Sequence, residues 1–238
     1  MGQIIAQTER DNNPLGYFAA LYRHITLRVQ TGIARQEFED NARMERLDVI
    51  FANRYLSAWE QWHAGQPTTQ AWALVFAAGL DNNLMVMQHL AMGINAHINF
   101  DLGIAAAQTV PGEPLGKLKN DFDLINRLLV EQVDEVQRKL SQALPLMAVV
   151  DRFAGRLDEN LANFIINISR GAAWRIALGC AKHSDPKRKA DYLVRLDLFN
   201  AALSHKIQYP GWWFRRGIDV VRPTEQVSPA AIIRLLAS

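Results

Sequence analysis

The segment that decides the fold is LMVMQHLAMGINAHINFDLGIAAA, which runs from Leu84 to Ala107. Its only formally charged side chain is Asp101. A helix that is apolar on nearly every side is normally buried inside a protein. We therefore expect a central helix over residues 83–107, with the other elements packed around it.

Apolar residues recur at intervals of three and four on both sides of this segment, which is the spacing of a helix with one buried face. Pro14 marks the start of the first such helix, and Gly32 lies near its end. We expect further elements over residues 37–62, 68–79, 121–140, 145–153, 158–182, 186–206 and 229–236.

The expected fold class is all-α, a single domain over residues 1–238 built as a multi-helix bundle. The hairpin dipeptides Asn-Gly and Asp-Gly are absent, and no stretch alternates convincingly between apolar and polar residues. Residues 158–182 are also sparsely charged, so they should form the second of two largely buried central helices. The core would span about 14–206, with 207–238 as a C-terminal tail packing on the bundle.

The amino-acid composition limits which partners and which cellular locations we expect. Lys and Arg number 26 against 24 Asp and Glu, a net charge of +2, so no nucleic acid is expected as a partner. The single cysteine, Cys180, excludes an internal disulfide framework. We see no secretory signal and no uninterrupted membrane span, so a cytoplasmic location is expected. A small-molecule ligand or substrate is the expected partner, and a homo-oligomer is left open.

The polar residues of GINAHINFDL, from Gly93 to Leu102, are the candidate site. His97 and Asp101 are four residues apart, so they lie one turn apart on the same helix face. Such a pair can bind one metal ion together, or the carboxylate can orient the imidazole as a base. Asn95 and Asn99 form a second polar pair with the same spacing, on another face.

A buried carboxylate is costly unless it has a partner, so Asp101 needs a metal ion, an arginine or several hydrogen-bond donors. Arg170, Arg54 and Asp48 are the candidates on other helices. The expected catalytic residues are His97, Asp101, Asn95, Asn99 and Arg170. The expected metal ligands are His97, Asp101 and Asp48. The expected pocket residues are His89, Tyr55, Trp59 and Trp174.

Two classes of function follow from this site. One is an enzyme that acts on a small, partly apolar molecule in a central pocket. It would use metal-assisted hydrolysis, with zinc as the expected metal, or metal-free isomerisation or cyclisation by His97 and Asp101. The other is a non-catalytic ligand-binding or structural protein, in which the same polar residues tie the central helices together.

The run MGINAHINFDLGIA, from Met92 to Ala105, resembles the signature of a bacterial family of all-helical proteins known as a domain of unknown function. The resemblance extends to FANRYLSAW at 51–59, to the pair Pro67 and Trp72, and to Arg170 with Trp174. It covers about residues 18–174. It implies an all-helical fold and no particular activity.

The same helix is similar to one in zinc-dependent phospholipase C and the related single-strand nucleases, where a His and an Asp bind zinc. The matching positions here are His97 and Asp101. Those enzymes also use an amino-terminal Trp and a later Pro-x-His, where this chain has Met1 and Gly103-Ile104-Ala105. The resemblance therefore implies a reduced site of one or two metal ions.

Overall fold

The computed structural model describes residues 1–81, 83–144, 156–212, 216, 218 and 222–238, and these contain no β-strand. The all-α prediction is therefore confirmed. The α-helices of this part are α1 (Gly2–Arg10), α2 (Leu15–Ala34), α3 (Asn41–His63), α4 (Gln70–Ala78), α5 (Val86–Ile94), α6 (Leu102–Thr109), α7 (Lys119–Ala143), α8 (Arg156–Lys182), α9 (Pro186–Gln208) and α10 (Pro229–Ala237). Short 3-10 turns cover Leu115–Leu118 and Arg222–Thr224. The element expected over 145–153 lies outside the described residues.

The helix expected over 83–107 runs from Val86 to Thr109, but its middle is not α-helical. Residues Asn95–Asp101 form a π-helical segment between α5 and α6, with a wider turn than the α-helix on each side. Single π turns inside α-helices occur often at functional sites. The unusual turn coincides with the polar residues of the candidate site.

This helix lies at the centre of the bundle. Its π segment and α6 contact α3 and α8. Helices α4 and α9 pack against α5 and the π segment, and α2 packs against α5. Met92, Ala96 and Ala105 are completely buried. This position explains the lack of charged residues in the sequence, because most of the helix surface is covered by other helices.

The described side chains of α8, from Ser169 onwards, divide into two faces. Arg170, Ala173 and Ala177 are buried against the core, whereas Gly171 and Arg175 are exposed. This division places one face of α8 against α6 and the other toward solvent.

No helix in the described part of the chain is both long and apolar enough to cross a membrane.

The last helix, α10, is part of the core. Ile232, Ile233 and Leu236 are completely buried, and α10 contacts α1, α2 and α7. A Cβ atom on Gly16 would lie 2.4 Å from Ile233 Cδ1, so α2 and α10 approach each other closely because that position is glycine. Within the segment preceding α10, the Glu225 carboxylate accepts a hydrogen bond from the first amide of α5, Val86 N, at 3.1 Å.

Gly103 allows α6 to approach α8 closely. A Cβ atom at this position would lie 2.5 Å from the Ala173 carbonyl oxygen, which belongs to the backbone and cannot rotate away. We expect Gly103→Ala to lower the free energy of unfolding by about 1–3 kcal/mol, because the two helices must separate. Urea denaturation would measure the change.

Gly171→Ala is the matched control, because that helical position has no atom within 4 Å of an added Cβ. It should leave stability unchanged or raise it by up to about 1 kcal/mol, through the greater helix propensity of alanine. Equal destabilisation by both substitutions would contradict the proposed close contact.

Candidate functional site

The π segment brings His97 and Asp101 together as the sequence spacing predicts. Each side chain is 1% exposed, and His97 Nδ1 lies 3.5 Å from Asp101 Oδ2. That distance is at the long limit for a hydrogen bond. The carboxylate therefore orients the imidazole, through a longer hydrogen bond than those that Asp101 accepts from other helices.

The shortest hydrogen bonds to Asp101 come from two other helices. Arg54 on α3 donates from Nε to Oδ1 at 2.6 Å, and Trp72 on α4 donates from Nε1 to Oδ2 at 2.8 Å. Burial opposes ionisation of Asp101, but its partners, with the hydrogen bond from His97 and the charge of Arg54 foremost, hold its pKa below the ordinary value. Asp101 is thus an ionised carboxylate with both oxygens already occupied.

His97 is enclosed by aromatic rings. Phe51 stacks on it with ring centroids 3.6 Å apart, and Tyr22 meets it at an angle of 71° with centroids 4.3 Å apart. Burial lowers the pKa of His97, and this outweighs the opposing effect of Asp101. The ring is therefore neutral near pH 7. Because Nδ1 faces a carboxylate it carries the proton, and the buried Nε2 lacks a hydrogen-bond partner among the described residues.

Asn95 and Asn99 face a different helix. Asn95 Nδ2 donates to the Asn200 carbonyl oxygen at 2.8 Å and to Ser204 Oγ at 2.9 Å, both on α9. Asn99 Nδ2 donates to Asn95 Oδ1 at 2.8 Å. The two asparagines therefore join the π segment to α9 and make no hydrogen bond to His97 or Asp101.

Arg170 and Trp174 pack against α7. The guanidinium of Arg170 lies 4.2 Å from the centroid of the Phe122 ring, and its Nη2 donates to the Phe122 carbonyl oxygen. Trp174 contacts the same ring, with centroids 5.0 Å apart. Burial lowers the pKa of Arg170 to about 9. The structure thus brings Arg170 and Trp174 to Phe122 and not to Asp101.

Tyr55 and Trp59 belong to the aromatic core beside the site. Tyr55 is 1% exposed, and its ring lies against Phe18 and Trp72, at centroid distances of 5.3 and 5.1 Å. Burial raises the pKa of Tyr55 above its usual range. Trp59 stacks on His63 at 4.0 Å.

His89 lies at a separate place on the central helix. It meets Tyr17 edge to face at 5.8 Å and borders a void of about 10 Å³ together with Phe18 and Met92. A void of that size holds one water molecule at most. Burial lowers the pKa of His89 to about 4, against a smaller opposing effect of Asp81.

The arrangement gives no support to a zinc site. No group of three or more His, Cys, Asp or Glu side chains lies close enough to hold a metal ion within the described ranges. Asp101 Oδ1 accepts a hydrogen bond from Arg54 and Oδ2 accepts one from Trp72, and aromatic rings surround His97. Asp48 is partly buried, and burial raises its pKa to about 6 despite a hydrogen bond from Gln30.

An open cleft of about 420 Å³ reaches the Asp101 carboxylate from solvent. Arg54, Trp72 and Asp101 are among its lining residues. Its remaining lining comprises Ile50, Asn53, Ser57, Ala58, Gln61, Thr68, Thr69 and Gln108. The cleft therefore combines one buried ion pair with many uncharged hydrogen-bonding groups.

Sequence reasoning missed the lining of this cleft. Asn53, Ser57 and Gln61 are spaced by four residues, which places them on one face of α3. That polar stripe was a usable signal. Trp72 as a partner of Asp101 was also missed, although a buried indole N–H usually finds an acceptor.

The two buried histidines predict how stability depends on pH. Their folded pKa values lie below the ordinary value of 6.5, so the unfolded chain binds more protons in this range. The contribution of these two histidines to the free energy of unfolding should be constant well above pH 6.5 and should fall as the pH is lowered toward 4, whereas the raised pKa of Asp48 acts in the opposite direction. His89→Gln should make the fall shallower, as measured by urea denaturation at a series of pH values.

Exposed His205 provides the control for this experiment. His205→Gln should leave the slope unchanged between pH 6.5 and 5. If His89→Gln has no more effect than His205→Gln, burial does not hold His89 in its neutral form.

Comparison with known proteins gives a family and no activity. A family model described as "Family of unknown function (DUF5995)" matches residues 1–210. No curated protein matches the chain, and no solved structure does. The match covers well over half of the chain and includes α1 to α9. The chain therefore belongs to the DUF5995 family.

Proposed function

We propose that this protein binds a small, partly apolar molecule that carries oxygen atoms, in the cleft between α3 and α4. Arg54 is the anchoring group. The proposal rests on the hydrogen bonds that the Arg54 guanidinium makes. Only Nε donates, to Asp101, whereas Nη1 and Nη2 make no hydrogen bond to any described residue. Arg54 lines the open cleft, so these two donors are available to a ligand bound there.

Arg54 is held in position before any ligand arrives. Asp101 accepts its Nε proton, Trp72 fixes the other oxygen of the same carboxylate, and the guanidinium lies 5.9 Å from the centroid of the Phe100 ring. A side chain that is already ordered loses little conformational entropy when a ligand binds. The ion pair between Arg54 and Asp101 thus favours ligand binding, because it fixes the guanidinium in place beforehand.

The rest of the cleft suits a small molecule of mixed polarity. Its volume of about 420 Å³ lies within the range typical of ligand sites. Asn53 and Gln61 supply amides, and the Thr68 hydroxyl lacks a hydrogen-bond partner among the described residues. Ile50 and Trp72 supply apolar surface.

Acid–base catalysis by His97 is the second candidate function. The neutral, unpartnered Nε2 favours it, because such a nitrogen can accept a proton. However, Phe51 and Tyr22 cover the ring, and His97 does not line the cleft. A substrate would reach Nε2 only after one of these rings moved. Isomerisation or cyclisation therefore stays a prediction, and binding is our proposed function.

The first test uses the Trp72 indole N–H as a reporter of occupancy. A library of small fragments is screened by NMR, and ligands of the cleft should shift the indole proton resonance. Ser57→Leu fills the cleft at an exposed position and leaves the Asp101–Arg54 pair intact, so it should weaken binding by about tenfold or more.

Arg175→Gln is the control for nonspecific effects, because Arg175 is exposed on α8 and donates to its own helix at Gly171 O. It should leave binding unchanged. The proposal fails if no fragment shifts the Trp72 resonance, or if fragments that shift it bind the Ser57→Leu protein equally well.

The second test compares two buried carboxylates. Asp121 is 1% exposed, like Asp101, and accepts from Arg43 Nη2 at 2.8 Å, but it does not line the cleft. Asp101→Asn and Asp121→Asn should each lower the free energy of unfolding by about 2–4 kcal/mol, since each removes the buried anion of an ion pair. Arg54 then has no anion among the described residues, and Arg43 keeps only Asp40, at 3.5 Å. Only Asp101→Asn should also weaken fragment binding.

Urea denaturation and NMR titration of the same two variants provide the measurements. If Asp101→Asn costs stability but binds cleft fragments as tightly as the unaltered protein, the Asp101 network is structural alone. Equal loss of binding in both variants would show a general effect of destabilisation.

A further inference from the structure

The guanidinium of Arg54 has one edge occupied and another free. Its Nε proton is directed to Asp101 Oδ1, whereas Nη1 and Nη2 donate to no described residue, and Arg54 lines the cleft. These two nitrogens lie in one plane, a few ångströms apart, and each can donate outward. The free edge therefore presents a pair of parallel donors in a fixed direction.

A carboxylate has the geometry that this free edge requires. Its two oxygens are coplanar and can accept two parallel N–H bonds at once, and charge-assisted bonds of this kind are about twice as strong as neutral ones. An alcohol or a primary amide offers a single oxygen acceptor. The arginine thus distinguishes a carboxylate from its uncharged analogues.

The charges that line the cleft limit how much negative charge a ligand can carry. Arg54 is the only Lys or Arg among the lining residues, and Asp101 is the only Asp or Glu, so the two charges cancel. Asp101 would repel a phosphate with two negative charges about twice as strongly as a carboxylate with one. An amine cannot accept the hydrogen bonds that Arg54 donates and would be repelled by its charge. A carboxylate therefore supplies the two acceptors with the least negative charge.

The uncharged residues that line the cleft indicate which other groups the ligand carries. Asn53, Gln61 and Gln108 can each donate and accept, which suits hydroxyl or amide groups. Trp72 and Ala58 add apolar surface, which suits a short hydrocarbon body. These features belong together on a small organic acid.

We infer that the ligand of this cleft is a small carboxylic acid with hydroxyl or amide groups on a short apolar body, its carboxylate bound by Nη1 and Nη2 of Arg54. The inference rests on the proposed function and names the class of molecule bound. It makes Arg54 the residue that determines specificity, with Asp101 as the positioning residue behind it.

The experiment uses matched fragments that share one body and differ in one group. The body is N-acetyl-leucine, compared with its primary amide, its alcohol, its amine and its phosphonate analogue. A wider set of bodies is prepared with the same five groups. Each compound is titrated into the full chain, and the Trp72 indole resonance reports occupancy of the cleft.

Carboxylates should bind at least about tenfold more tightly than the matched amides and alcohols, averaged over the bodies that bind. In Arg54→Gln this preference should disappear. In Arg54→Lys it should be reduced, because lysine keeps the charge but lacks the planar pair of donors. In Arg175→Gln the preference should stay at its original value.

The possible failures can be told apart. If fragments shift the Trp72 resonance without preference for carboxylates, or favour phosphonates or amines, the inference is overturned and the proposed function stands. If no compound of any class shifts the resonance, both are overturned. A preference that persists in Arg54→Gln and Arg54→Lys proteins with unchanged far-UV circular dichroism would assign it to another residue.

Discussion

The structure around the cleft depends on the burial of one negative charge, that of Asp101. An uncompensated carboxylate in this position would cost several kcal/mol, so the helices must pack in a way that supplies donors. Arg54 of α3 and Trp72 of α4 supply them. Asp121, the other fully buried carboxylate of the described residues, also binds an arginine of α3, Arg43. Buried carboxylates thus bind α3 at Arg43 and at Arg54, which are about three turns apart. The cleft lies beside Arg54.

The fold could be predicted from the sequence where a buried segment lacks charged residues. A segment with Asp101 as its only charge had to be central, and the observed helix from Val86 to Thr109 follows closely from that. The π segment could not be predicted in the same way. Apolar periodicity reports which residues are buried, but it does not report whether the backbone closes its turns after four residues or five.

The candidate site was predictable in part for a related reason. The spacing of His97 and Asp101 is a property of one helix, so it carried over directly. The partner of Asp101 is a property of how helices pack, and Arg54, Arg170 and Asp48 were equally available to a reading of sequence alone. Arg170 instead donates to a backbone carbonyl oxygen, that of Phe122. Every residue has a backbone carbonyl group, so the sequence does not indicate which one accepts a hydrogen bond from Arg170. The contact between Arg170 and Phe122 could therefore not be predicted.

The position of α10 has a kinetic consequence. Asn12 accepts a hydrogen bond from Ala230 N, and Glu9 accepts one from Arg234, so groups more than 200 residues apart in the chain meet beside α1. Ile232 and Ile233 complete the core only when this contact forms. Contacts between such distant parts of a chain are slow to form, because the entropy of closing a long loop is lost before any interaction is gained. We therefore expect the docking of α10 to be a late step in folding, which leaves the apolar surface of α2 open to water until it occurs.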